Sequence, residues 1–295
     1  MACDEAFRTI ARQYLHRLTE QRRGTCAGKV EALHEMRIAL TRLRASIAFF
    51  SPMVAGADQL HISAELKWLN AHLGIGRDLD VAIGRLVKIG GRPSDVKIWK
   101  QERAARQRHL TRALRSRRYQ RLIRDISAWI EEGTWSTKRG KEAADRRRPI
   151  GEYGAQKLLQ WQNKLVKKSR RLEEVGARRR HRVRLLNKKL TYALDAVASL
   201  LPDDRLPARQ AALKQLRRGQ KALGQLNDDA RYRALARTLH NGKGTAPDPL
   251  GSKQKKRLLH KAAEAYEEFA RLKPFRTPQI SIVGSRAGVE AAKSH

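Results

Sequence analysis

The side chains best placed to do chemistry in this sequence recur in two copies. HEMR at 34–37 and HRVR at 181–184 set His34 ahead of Arg37 and His181 ahead of Arg184. Each pair is followed by further cations, Arg42 and Arg44 in the first copy, Lys188 and Lys189 in the second. Guanidinium groups offer a planar fork of N–H donors that matches phosphate oxygens, and lysines add mobile point charges. A histidine at the edge of such a face can contact phosphate. Crowding by arginines should lower its pKa in an empty site and bound phosphate should raise it, so pH-sensitive binding is expected.

These groups grip an anion without cleaving it. Phosphoryl transfer needs carboxylates that hold a metal, or a glycine-rich phosphate loop. The sequence has no GxxxxGK[ST] element and no Ser/His/Asp or Cys/His arrangement. Its acidic pairs, Asp78 with Asp80 and Asp228 with Asp229, are read as helix caps after glycine-containing breaks, not as metal ligands. No catalysis, cofactor or metal is expected.

Composition points to the same partner class. The 295 residues carry 64 Lys and Arg against 29 Asp and Glu, a net charge of +35. Such a surplus repels itself on folding and draws anions, whether nucleic acid, an acidic membrane surface or a phosphate polymer. Hydrophobic residues reach 41% and recur at helical spacing, which excludes a disordered chain. Cys3 and Cys26 form no disulfide framework or metal spacing. The N-terminal stretch lacks the apolar region of a signal peptide and no apolar run approaches a membrane span, so a cytoplasmic location is expected.

Nearly every segment that must position the cations reads as helix. Helices are predicted near 4–21, 28–50, 58–73, 78–89 and 95–131, then near 153–175, 178–201, 205–225, 228–240 and 252–271. The polar, basic stretch 133–151 reads as a linker, with a first helical half at 4–132, a second at 152–273 and an irregular tail at 274–295. The halves are repeats. His34 aligns with His181, Arg37 with Arg184, Arg42 with Lys189 and Leu43 with Leu190, while Leu73-Gly74 and Asp78 match Leu223-Gly224 and Asp228.

At about 100° per residue, His34, Arg37 and Arg44 share one helical face, with Arg42 beside it. Leu33, Met36, Leu40, Leu43, Ile47 and Phe50 form the opposite stripe. In the second copy His181, Arg184 and Lys188 share a face, Lys189 flanks it, and Val183, Leu186, Leu190, Leu194 and Val197 lie opposite. A single helix with cations on one side is usually just solvated. Two copies in the same register argue that both faces converge on one groove about a pseudo-two-fold axis. Secondary basic clusters occur at Arg112, Arg115, Arg117 and Arg118, and at Lys214, Arg217, Arg218 and Lys221; solvated faces explain these more readily. The RRR runs at 146–148 and 178–180 add non-specific attraction.

The paired His-containing helices, each followed by Leu-Gly-x-x-[Arg/Asn]-Asp, resemble the CHAD domain, the conserved histidine α-helical domain, over residues 7–273. That resemblance implies an all-α fold of two pseudo-symmetric helical-bundle halves around a basic central pore or groove. It also implies binding of inorganic polyphosphate and association with polyphosphate granules, alone or fused to a triphosphate-tunnel enzyme, whose alternating Glu/Lys strand signature is absent here. Carried over by position, the candidate ligands are His34, Arg37, Arg42, Arg44, His181, Arg184, Lys188 and Lys189. Arg112, Arg115, Arg118, Lys214, Arg217, Arg218 and Lys221 are secondary contacts. Thr41 and Thr191 stand where the family carries basic residues, and a threonine hydroxyl could still donate to phosphate.

Nucleic acid is the competing partner. Against it, Trp68, Trp99, Trp129, Trp135 and Trp161 fall largely on apolar helical positions instead of interleaving with cations, and no recognition-helix module is present. A narrow groove between two inward-facing basic helices favours a thin polymer without bases. Membrane insertion is not expected, because the amphipathic helices lack bulky interfacial aromatics and need their apolar sides for the bundle. Nothing in the sequence fixes an oligomeric state.

Overall fold

The fold is described by a computed structural model for residues 1–200, 206–239, 250–272 and 275. Apart from Phe275, the tail at 274–295 lies outside the described residues. Among them the architecture is all-α, with one isolated backbone bridge between Ala2 and Pro149. The helices are α1 Cys3–Glu20, α2 Arg22–Cys26, α3 Val30–Phe49, α4 Ser51–Val54, α5 Ala57–Lys88 and α6 Pro93–Arg115. They continue as α7 Arg117–Glu132, α8 Lys141–Arg147, α9 Ile150–Ser169, α10 Ala177–Val197, α11 Leu206–Leu239 and α12 Ser252–Arg271.

Local chemistry sets several of these limits. Gly28, at φ +80°, turns the chain from α2 into α3 in a conformation that L side chains rarely adopt. Ser116 interrupts the single helix expected over 95–131: its backbone is extended and its Oγ accepts from Tyr119 N at 3.2 Å, a helix N-cap that starts α7.

The breaks expected at 74–77 and 226–227, next to Gly74 and Gly224, do not occur. α5 and α11 run through them as continuous helices of 32 and 34 residues. A glycine inside a helix costs about 1 kcal/mol relative to alanine, and burial of Leu69, Leu73 and Leu79, and of Ala222, Leu223 and Tyr232, offsets this. At Gly76 the missing side chain serves packing, since a Cβ there would sit 3.1 Å from Leu33 Cδ2.

α3 packs on α1 and α5 as α10 packs on α9 and α11. The helices that the repeat equates also meet, α3 on α10 and α5 on α11. One apolar core runs from Phe7 on α1 to Phe269 on α12 without dividing between the halves. Phe7 meets the rings of Phe50, Trp129 and Trp135 edge-on at 5.2–5.5 Å, while Phe49 contacts Tyr153 and Trp161 of α9 at 5.6 and 5.8 Å. A smaller cluster of Ala82, Leu86, Trp99, Tyr232 and Ala236 ties α5 and α6 to α11.

The basic stretch 133–151 is built into this core. Trp135 is 1% exposed and its Nε1 donates to Trp129 O at 2.7 Å. Arg146 donates to Trp135 O and Lys138 O at 2.7 and 2.6 Å, and the N-terminus is clipped on through Cys3 N to Arg148 O at 3.0 Å. Trp135→Ala should therefore cost about 3–5 kcal/mol of unfolding free energy in urea titration. A loss below about 1 kcal/mol, the range of an ordinary surface change, would make this stretch a passive tether.

Candidate anion-binding site

The packing of α3 on α10 brings part of each duplicated cationic face into one seam. Arg37 on α3 donates from Nη1 to Gly74 O of α5 at 3.1 Å and lies 3.6 Å from Asp78 Oδ1. Asp78 also pairs with Arg231 of α11, so one carboxylate ties α3, α5 and α11 together. Burial holds the Arg37 pKa below the ordinary arginine value; Asp78 opposes this, and Arg231 and Arg77 add repulsion.

Across the seam, Arg184 and Lys188 occupy successive turns of α10. Burial lowers the Arg184 pKa, with Asp228 opposing and Arg231 reinforcing. Lys188 is pushed down to about 8 by burial first, then by Arg184 and Arg37, with Asp228 opposing. α3 packs on α10, and Arg44 lines one cleft with Lys188 and Lys189, so parts of the two basic faces are turned toward each other. Like charges held together out of water are destabilising until an anion joins them.

The remaining candidates have different surroundings. Arg42 sits between the Tyr14 and Tyr192 rings, 5.9 and 5.7 Å from their centroids, and its buried Nε has no partner. Arg44 and Lys189 are exposed at the mouth of a cleft of about 370 Å³ that Lys188, Thr41, Gln59 and Ser63 also line. His34 is half-buried, and its pKa is lowered by desolvation first and Arg77 second, while Glu31 and Glu35 oppose. His181 is exposed and lines a different cleft, of about 780 Å³, that reaches Arg184.

Neither threonine is set to donate to a ligand. The Thr41 hydroxyl donates to Arg37 O at 2.8 Å, and Thr191 is buried with its hydroxyl donating to Asn187 Oδ1 at 3.0 Å. The acidic pairs are not helix caps either. Asp78 and Asp80 lie within α5 and diverge, Asp80 holding Arg103 at 2.6 Å, while Asp229 pairs with Arg233 and Lys255. Among the described residues no group of three or more His, Cys, Asp or Glu could hold a metal.

The secondary clusters do not join the seam as a unit. Arg118 makes a two-point contact with Glu65 at 2.7 and 2.8 Å and lies over Trp68, so this tryptophan does meet a cation. Arg218 is engaged by Glu264 and Glu268 of α12, and Arg217 by Asp195 at 3.2 Å. Lys214 and Lys221 are exposed, whereas Arg112 and Arg115 line a separate cleft beside Cys26 and Gln107.

Sequence reasoning missed Arg231, Arg77 and Arg85. Arg85 reaches from α5 to Gln225 O of α11 at 3.3 Å. The signal was available: read as unbroken helices, Gly74, Asp78 and Arg85 fall on one face of α5, and Gly224, Asp228 and Arg231 on one face of α11.

The fold and site define an all-helical protein whose repeated helices close a cationic seam. The chain belongs to the CHAD domain family, whose sequence model matches residues 9–237. The CHAD domain from the plant Ricinus communis superposes with a TM-score of 0.72 at 22% identity, over 94% of each chain. PptA from Streptomyces chartreusis gives 0.60 at 14% identity, over 91% of this chain and 98% of that one. No curated protein matches the sequence.

No atom outside the local backbone lies within 4 Å of a Cβ built at Gly74 or Gly224, each one turn before the seam aspartate of its helix. Alanine at either position should raise unfolding free energy by about 0.5–1 kcal/mol through helix propensity. A polyanion seated against these turns would meet the added methyls. The G74A/G224A variant should therefore unfold at higher urea and bind anion more weakly, and unchanged affinity would move the ligand off these turns.

Proposed function

We propose that the chain binds inorganic polyphosphate without cleaving it, and that its place in the cell is the cytoplasm, on polyphosphate granules. The observation that carries this reading is the convergence of Arg37, Arg184 and Lys188 from the two repeats, beside Asp78 and Asp228. A flexible string of phosphates supplies closely spaced negative charge with nothing bulky attached, so it can enter between packed helices. Nucleic acid carries bases that need stacking surfaces or a groove-reading element. Trp99, Trp129 and Trp135 are buried in the core and offer no such surface. Membrane insertion is not part of the proposal: among the described residues no helix is long and apolar enough to cross a bilayer.

Competition at physiological salt tests this. Labelled polyphosphate should resist displacement by duplex DNA or tRNA at equal phosphate concentration, and with divalent metal present no orthophosphate should be released. R37A/R184A should weaken binding on the order of 100-fold, at about 1.5 kcal/mol for each charge-assisted contact. Displacement by nucleic acid at parity would replace the ligand class. Full affinity in the double variant would reduce the seam to ordinary surface.

Lys188 gives a pH signature of two opposite signs. Its folded pKa of about 8 lies below the ordinary lysine value, so the unfolded chain holds an extra proton in the window between them. Stability of the empty protein should rise with pH through that window. A bound polyanion raises the Lys188 pKa, so affinity should fall as pH climbs past about 8. K188M should flatten both profiles, as read by urea melts and titrations at pH 7 to 10.

A further inference from the structure

The two histidines that the repeat aligns have differently charged neighbours on their own helices. In the first copy Glu31 and Glu35 flank His34 and act directly on it. In the second copy the aligned positions are Arg178 and Arg182. The cleft of about 780 Å³ at the N-terminal end of α10 is lined by Arg178, His181, Arg182 and Arg184 of α10, Arg233 of α11 and Lys255 of α12. Asp229 pairs with Arg233 and Lys255, and Asp228 acts on Arg184. Among the described residues no carboxylate pairs with Arg178 or Arg182. The first turn of α10 contains no acid and its Gly176 cap offers no side-chain acceptor, so the arginines add to the positive helix end.

This cleft shares Arg184 with the seam. Arg184 lines it, its buried Nε donates to nothing, and Lys188 one turn further along α10 lines the cleft of about 370 Å³ on the far side. Arg184 and Lys188 thus form a step between two cation-lined openings. At the aligned end of α3 an emerging polyanion would meet Glu31 and Glu35 instead. The two ends of the duplicated site thus differ in the charges beside the aligned histidine: Glu31 and Glu35 with Arg77 at one, Arg178 and Arg182 at the other.

We propose that the cleft formed by α10, α11 and α12 is an outlying subsite for the continuing chain of a polyphosphate seated in the seam, so that long chains leave over the second half of the protein alone. This rests on the polyphosphate reading above and adds a direction to it. Arg178 and Arg182 act on chains too long for the seam and not on the segment held there.

Titration with tripolyphosphate and with long-chain polyphosphate separates these roles. R178Q/R182Q should bind the long chain about tenfold more weakly and leave tripolyphosphate within about twofold. E31R/E35R, which copies the second end onto the first, should strengthen long-chain binding and leave tripolyphosphate unchanged. Equal losses for both ligands in R178Q/R182Q, or no loss for either, would overturn the subsite. If R37A/R184A abolishes binding while R178Q/R182Q keeps full long-chain affinity, the outlying subsite fails and the seam stands. If R37A/R184A binds normally, the polyphosphate seam itself fails.

Discussion

Packing α3 against α10 takes Arg37, Arg184 and Lys188 out of water together, and the rest of the molecule has to accommodate that desolvation. Partly buried like charges are costly unless hydrogen bonds and opposite charges join them. Two internal carboxylates supply the partial answer. Asp78 joins Arg37 to Arg231 across three helices, and Asp228 favours the charged forms of Arg184 and Lys188. They do not restore ordinary protonation, since Lys188 remains pushed down to about 8. The seam therefore holds a cluster of cations only partly opposed by carboxylates, and the continuous core from Phe7 to Phe269 holds the helices in place despite it.

Much of this arrangement was legible because α3 and α10 obey a simple rule. Their leucines recur at helical spacing and fix which side is buried, so the opposite cationic faces followed from the sequence. What escaped depended on tertiary contact. Gly74 and Gly224 look like helix ends by composition, but buried apolar residues on both sides, Leu73 and Leu79 in α5, Leu223 and Tyr232 in α11, carry the helices through them. Assuming breaks there turned Asp78 into a cap and hid its alignment with Arg85 on one face. Thr191 looked like a weakened ligand, yet the register of α10 turns it into the core against Asn187. Trp135 lies in a stretch otherwise poor in apolar residues, and only the Phe7 ring beside it and its hydrogen bond to Trp129 O reveal its burial.

The secondary basic clusters show why counting cations overstates a binding surface. Arg118 and Arg218 are as basic as Arg37, but each has its guanidinium directed at carboxylates of a neighbouring helix. A surface arginine so paired gains little stability and is less available to an incoming phosphate, which must displace a partner already in place. Arg37 differs in degree: its contacts are a backbone carbonyl and a carboxylate at 3.6 Å that Arg231 shares. Availability follows from how many acceptors each cation already has.

The same accounting explains how duplication and function fit together. Two copies of a helix can build a symmetric seam only if both keep the residues that meet there, and Arg37 and Arg184 are kept. Residues one turn outside the seam are under no such restraint. Glu31 and Glu35 stand where the other copy has Arg178 and Arg182, and the two histidines between them differ in burial as well. A ligand longer than the seam would meet Glu31 and Glu35 beyond one copy and Arg178 and Arg182 beyond the other. The repeat brings Arg37 and Arg184 to one seam, and its divergence leaves the flanking turns differently charged.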